Sequence, residues 1–499
     1  MINNIFSYFN SKKVYSKKQF SIFLSAMLLS LSLFAQIKRI PPPAAVYPLP
    51  SVTQLVWAEM ETNAFVHFNI NTFTDKEWGY GDESPALFNP TNVNTDQWAK
   101  TLKETGFKQL ILTCKHHDGF CLWPSKYTNR SIKESPYKNS KGDIVREARD
   151  AAKKYGLKFG IYLSPWDRSR ADYGTPAYIT YYRNQLKELF TNYGPVFEMW
   201  FDGANGGDGY YGGAKEKREI DRTTYYDWPA TLKVVRDMEP NILFFSDAGP
   251  GVRWVGNEEG IAGETNWNTI NIDSLYPGKS GIESLLGSGD PNGKKWIPAE
   301  VDVSIRPGWF YHIREDSLVK TPKKLFEIYL TSVGRGSTLL LNVPPDRTGQ
   351  FNEHDVRALY GFKELLNEVF ANNLASKAKV TADSYRGGNK QFAPSNINDG
   401  NKETYWATDD NIKTGNITID LPKKSTVKYI VLQEYIQLGQ RVKSFTVEVW
   451  KNNAWHNVAE ATTIGHKRIL KIDPVETKKI RVNITDSKAC PVISNIEVY

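Results

Sequence analysis

Asp202 closes the apolar run from Val196 to Phe201 and is followed by Gly203. A carboxylate at the end of a buried strand, beside a glycine that lets a ligand approach, is placed to attack an anomeric carbon; the plainer role is to cap the next turn. Such chemistry needs a second carboxyl across the site, roughly 5–5.5 Å away when configuration is retained. Glu258 and Glu259, within Arg253-Trp-Val-Gly-Asn-Glu-Glu-Gly260, are the candidates, and each reads equally well as a solvated loop charge. His116 and His117 invite a metal, but neighbours on a strand point to opposite faces and cannot easily share one ion. A metal-dependent barrel hydrolase would show His-x-His on its first strand, where His67 stands alone. The competing readings are His117 facing a site as a donor to a hydroxyl, with His116 at the strand's edge, or both packed. Trp78, Tyr80, Trp123, Trp166, Tyr210, Tyr211, Trp254, Trp267 and Trp309 crowd polar, glycine-rich loops. Sugar C–H faces stack on such rings while sugar hydroxyls seek His, Asp, Glu and Arg, so the concentration favours carbohydrate.

The elements that must hold these residues alternate. Strands are expected at Ala64–Ile70, Gln109–His117, Lys158–Pro165, Val196–Gly203, Ile242–Asp247, Gly260–Thr265, Trp296–Ile305 and Ser337–Val343. Helical patterns lie between most of them, at 94–105, 143–156, 176–193, 225–239, 320–334 and 353–371. Strands alternating with helices argue for a parallel sheet, and about eight units fit a (β/α)8-type barrel, whose sites form at the C-terminal strand ends. That rule collects His67, His116, His117, Tyr162, Trp166, Trp200, Asp202, Arg253, Trp254, Glu258 and Glu259. After Asn372 short alternating segments such as Ile417–Leu421, Tyr429–Leu432, Ser444–Trp450 and Ile480–Ile484 describe a β-sandwich. The division is a leader over 1–35, a barrel domain over 36–373 and a sandwich over 374–499.

The leader changes what the charge means. Lys12, Lys13, Lys17 and Lys18 precede the apolar run Phe20 to Ala35, the pattern of a secretory signal, with an uncleaved anchor as the alternative. The expected destination is the periplasm or the exterior. The chain of 499 residues carries +8, and removing those four lysines, with no acidic residue among them, leaves +4. No Lys/Arg block persists, so nucleic-acid binding loses its support, and no later run reaches the roughly 20 apolar residues a membrane span needs. Cys114, Cys121 and Cys490 cannot build a disulfide framework, and no CxxC pair suggests zinc.

Ala64-Phe-Val-His-Phe-Asn-Ile-Asn-Thr-Phe73, Glu77-Trp78, Thr113-Cys-Lys-His-His-Asp-Gly-Phe-Cys-Leu-Trp123, Phe159-Gly-Ile-Tyr-Leu-Ser-Pro-Trp166 and Met199-Trp-Phe-Asp-Gly-Ala204 resemble the family 29 glycoside hydrolases, which are α-L-fucosidases. The resemblance implies a retaining mechanism with Asp202 as nucleophile and no catalytic cofactor. It implies fucose contacts at His67, Glu77, Trp78, His116, His117, Tyr162, Arg253 and Trp309; in the two-step displacement a cation such as Arg253 is expected to steady the Asp202 anion. Arg253 to Glu258, followed by Arg306-Pro-Gly-Trp-Phe-Tyr311, is similar to the branch acting on α-1,3/1,4-linked fucose of Lewis-type glycans. In that branch the acid/base falls on Glu258, with Glu259 as competitor and Glu264 third. The C-terminal segments Ala393 to Gly400, Thr404 to Thr408 and Ser494 to Tyr499 resemble discoidin-type modules, including family 32 carbohydrate-binding modules. Those imply a structural Ca2+ near Asp399 and Thr404, with a late glutamate such as Glu497. The implied partner is a fucosylated glycan. The rival readings are a broad-linkage fucosidase, an inactive carbohydrate-binding barrel, a metal-dependent barrel hydrolase and another exo-glycosidase.

Overall fold

The computed structural model describes residues 40–499, so the leader lies outside the described residues. Eight parallel strands close a barrel in chain order: β1 Thr62–Val66, β2 Gln109–Lys115, β3 Lys158–Leu163, β4 Glu198–Trp200, β5 Leu243–Ser246, β6 Val252–Trp254, β7 Ala299–Ser304 and β8 Thr338–Asn342. Alternation divides each strand between two cores. Phe65, Ile111, Tyr162, Trp200, Phe245 and Leu340 pack together inside the barrel, while their neighbours Ala64, Leu110, Ile161, Met199, Phe244 and Leu341 join the outer cluster under the helices.

The helix α1 Ile144–Tyr155 shows how the sequence makes that outer layer. Ile144, Val145, Ala148, Ala151 and Ala152 form one buried stripe, the Asp143 side chain accepts the Arg146 N–H at its start, and Gly156 ends it with φ 68°. Helices Thr95–Glu104, Pro176–Tyr193, Trp228–Arg236, Pro322–Thr331 and Glu353–Val369 match the other expected patterns.

The sixth strand falls elsewhere than expected. Gly260–Thr265 is irregular, with the Ala262 N–H donating to Thr331 O, and Val252–Trp254 takes the place in the barrel. Only residues 247–251 join β5 to β6, so no helix separates them, and a three-residue strand leaves no period to read.

Beyond the last barrel helix, a seven-stranded antiparallel sheet builds the second unit of architecture. The separate segments expected at Ile417–Leu421 and Tyr429–Leu432 are one strand, Gly415–Glu434, whose register shifts between Asp420 and Ser425 and again between Val427 and Tyr429. Its core holds Trp406, Phe445, Ile480 and Ile496. Val431 and Ile469 from the same sheet instead join the barrel's outer cluster. Gln440 Oε1 accepts the Asn268 N–H at 2.8 Å and its Nε2 donates to Asn266 O at 2.9 Å, so the module is bonded onto the barrel's side. Among the described residues no helix is long and apolar enough to cross a membrane.

Candidate active site

A cleft of about 450 Å3 opens over the C-terminal ends of the strands. His67, Glu77, Trp78, His116, His117, Tyr162, Asp202, Glu258 and Trp309 all line it. Asp202 sits on the turn after β4: Tyr162 OH donates to its Oδ2 at 2.9 Å and the Ala204 N–H to its Oδ1 at 2.6 Å. Burial pushes its pKa up, and those two donors pull against that rise. Gly203 lets the Asp247 carboxyl approach closely, since a Cβ there would lie 2.0 Å from Asp247 Oδ2 and push that side chain away.

The histidines have definite roles. His67 Nδ1 lies 2.9 Å from Asn342 Oδ1, and the Asn342 amide nitrogen is spent on Ser304 Oγ and Trp309 O. His117 Nδ1 lies 2.8 Å from Ser164 Oγ, whose hydroxyl donates to Trp166 O. In both rings Nδ1 is therefore the donor and Nε2 the acceptor. Burial holds both neutral, with pKa values lowered to about 3. The His117 ring, expected to donate to a hydroxyl, therefore presents Nε2 to the cleft as an acceptor, 3.9 Å from Asp202 Oδ2 and not bonded to it. His116 and His117 also do not face opposite ways. Regular pairing of β2 ends at Lys115, after a register shift, so strand alternation no longer applies, and both rings line the cleft with centroids 4.0 Å apart.

Glu77 is a docked anion. Its Oε2 accepts the Trp309 N–H at 2.7 Å, and its Oε1 takes Phe310 N–H and His312 Nε2 at 3.3 and 2.6 Å. Burial opposes ionisation, but His312 and those N–H groups outweigh it and hold Glu77 below the usual carboxylate range. His312 is in turn pushed up by Glu77, against its burial, with help from Asp75. Trp78 stands half-exposed at the rim, edge-on to His117 and Trp166.

The three glutamates separate cleanly. Glu258 lies in the cleft with Oε2 accepting Trp309 Nε1–H at 3.2 Å. Its carboxyl is pushed up by burial and by the charges of Asp202 and Glu77, while the indole N–H pulls it down. Glu258 and Glu259 are both exposed by surface area, but Glu259 is absent from the cleft lining, and Glu264 pairs with Arg335 at 2.7 Å.

Arg253 corrects an expectation. On β6 the flanking Val252 and Trp254 face the barrel interior and the cleft, so the residue between them points outward. Its buried guanidinium donates to Leu286 O, Ile297 O, Trp267 O and Asn266 Oδ1, and it neither lines the cleft nor contacts Asp202. Asp202 takes its donors from Tyr162 and Ala204 instead.

Two cleft carboxyls were not anticipated. Asp247 directly follows β5, accepts the Gly278 N–H at 2.7 Å, and is pushed up to about 7 by burial, with Asp202 adding to the rise. Asp302, on β7, accepts Trp254 Nε1–H at 2.9 Å. The strand-end rule would have found Asp247, the last residue of an expected strand; Asp302 lay mid-run, where no sequence signal marks an inward face.

In the module, Asp399 spends Oδ1 on the Asn401 N–H and Oδ2 on the Thr404 hydroxyl, while Glu497 accepts from Tyr499 OH. Among the described residues no three His, Cys, Asp or Glu side chains gather into a metal-holding group.

Residues 43–368 match the family model described as Alpha-L-fucosidase, and residues 379–497 match the F5/8 type C domain. The chain belongs to the α-L-fucosidases of glycoside hydrolase family 29. The fucosidase is 41% identical to Alpha-L-fucosidase 1 of Arabidopsis thaliana over 95% of this chain and 92% of that protein. It superposes on a family 29 member from an unknown rumen bacterium with a TM-score of 0.81 at 45% identity, covering 92% of this chain and 78% of the other. A Ruminococcus gnavus family 29 fucosidase in complex with fucose matches with a TM-score of 0.83 at 34% identity, covering 92% and 96%.

Proposed function

We propose that this fucosidase is a retaining, exo-acting enzyme that removes terminal α-1,3/1,4-linked fucose from Lewis-type glycans. The observation that carries the reading is the unequal treatment of two carboxyls in one cleft. Asp202 receives two hydrogen bonds that favour its anion, whereas Glu258 receives one and feels the negative charges of Asp202 and Glu77. Asp202 attacks the fucose anomeric carbon as Glu258 gives its proton to the glycosidic oxygen. Water, deprotonated by Glu258, then opens the fucosyl–Asp202 ester with retention. Neutral His67 and His117 accept hydrogen bonds from sugar hydroxyls through Nε2, and Trp78 offers its exposed ring to a C–H face. The linkage reading is supported by the contact between the two branch-like segments, Trp309 to Glu258.

Replacing Asp202 by Gly should cut turnover of an aryl fucoside by about 10³-fold or more. Azide should restore it, yielding a fucosyl azide of inverted configuration; normal turnover without azide would remove Asp202 from the role. Activity on a Lewis trisaccharide with little on 2-linked fucosides or aryl galactosides supports the linkage, and equal rates on both linkages would make the enzyme a broad one. The basic segment and apolar run ahead of Gln36 support export, which cell fractionation tests.

A further inference from the structure

The walls of the cleft have different chemistry. Tyr162, Asp202 and the histidines come from β1 to β4, whereas Trp254, Glu258 and Asp302 come from β6, its following loop and β7. A general acid must reach the glycosidic oxygen, so the sugar that departs does so on the wall that carries it. Trp254 precedes Glu258 by four residues on that wall. It packs partly against Ile270, Leu286 and Ile297 and partly faces the cleft. An indole in such a place takes up a fixed orientation when its N–H has a partner. That partner is Asp302 Oδ1, at 2.9 Å, on a side chain that is itself 3% exposed.

We propose that Asp302 is a positioning residue that locks the Trp254 ring as a stacking platform for the sugar bearing the fucose. The inference rests on the fucosidase reading, with Glu258 as proton donor. Asp302 is not an ion-pair partner: burial comes first among its influences, and the charged groups facing it are the carboxyls of Glu258 and Glu300, all pushing it well above the ordinary carboxylate range. A neutral acid still accepts the indole N–H at Oδ1, and so does an amide. Charge is therefore dispensable and the acceptor is not.

The test compares kcat/KM for a Lewis trisaccharide with that for an activated aryl fucoside, which has no second sugar, in the full-length enzyme. Asp302→Leu removes the acceptor at similar volume, and the trisaccharide-to-aryl ratio should fall about tenfold, mostly through KM, as expected for a lost buried hydrogen bond. Asp302→Asn should keep the wild-type ratio. Trp254→Phe should lower the ratio as Asp302→Leu does, and the double variant should fall no further than Trp254→Phe alone. If Asp302→Leu folds poorly, Trp254→Phe and Asp302→Asn still decide. A ratio unchanged in Trp254→Phe, or lowered equally in Asp302→Asn and Asp302→Leu, overturns the proposal. A wild-type enzyme that cleaves neither substrate overturns the fucosidase reading and the inference with it.

Discussion

Asp202 has no arginine or lysine among the groups that set its ionisation; a phenol and a backbone N–H hold its anion. That arrangement makes Tyr162 measurable. Tyr162 OH lowers the Asp202 pKa, so Tyr162→Phe must raise it. The acidic limb of the kcat/KM profile, which reports the free enzyme's nucleophile becoming anionic, should move to higher pH, with the basic limb of Glu258 in place. An acidic limb that stays put would mean that another group, such as Asp247, governs it. Because proton transfer and nucleophilic attack are both assigned to carboxyls, dialysis against a chelator should leave aryl-fucoside turnover within about twofold of the untreated enzyme. A loss restored by a divalent cation would reinstate a metal-dependent reading. At this scale the sequence was legible in residue type: His67, Glu77, Trp78, Asp202 and Glu258 all face one cleft. It was silent on protonation, because which imidazole nitrogen carries the proton depends on Asn342 and Ser164, which lie far from those histidines in the chain.

The elements explain both the success and the misreadings. A strand such as β2, with seven residues, carries enough of them for its run to stand out, and the histidines that follow it reach the cleft. β6 has three residues, and parity over three residues decides everything: Trp254 enters the cleft and Arg253 is turned away. A family-like motif therefore named the right segment and the wrong side chain. Arg253 is instead a structural clamp over four acceptors from residues 266, 267, 286 and 297. Arg253→Leu leaves those oxygens unpaired and should cost at least about 3 kcal/mol, since each orphaned buried group costs about 1–3 kcal/mol. Thermal denaturation measures that loss. Inhibition of the remaining folded enzyme by free fucose separates the roles: an unchanged constant marks a clamp, and a tenfold weaker one would return Arg253 to the fucose site.

Across the whole molecule, barrel and module share a seam. Val431 and Ile469 of the module are buried in the barrel's outer cluster, and the Phe370, Tyr429 and Tyr499 rings meet with centroids 5.1–5.9 Å apart. The same economy of space buries ionisable groups throughout, and this fixes how stability must vary with pH. Asp247, Glu300, Asp355 and Glu434 are pushed up by burial to about 7, and Asp118 to about 6. In the unfolded chain such carboxyls titrate near 4, so between about pH 4 and 7 the folded state holds protons that the unfolded state has released. Their contribution is complete below pH 4 and is lost as pH rises through 7. Buried histidines act in the opposite sense: His67 and His117, lowered to about 3, contribute fully above 6.5 and lose that contribution as pH falls through 3. His116 and His466 are lowered by burial too. Near pH 5.5 His67 and His117 each withhold close to one proton while each carboxyl pushed to about 7 retains close to one, and Asp118, Glu198 and Asp302, also raised by burial, add to the carboxyl side. The carboxyls outnumber the histidines, so the melting temperature should be higher near pH 5.5 than near pH 7.5. Glu434→Gln, which cannot ionise, should flatten that slope; a wild-type maximum at or above pH 7.5 would show that the buried carboxyls ionise in the folded protein.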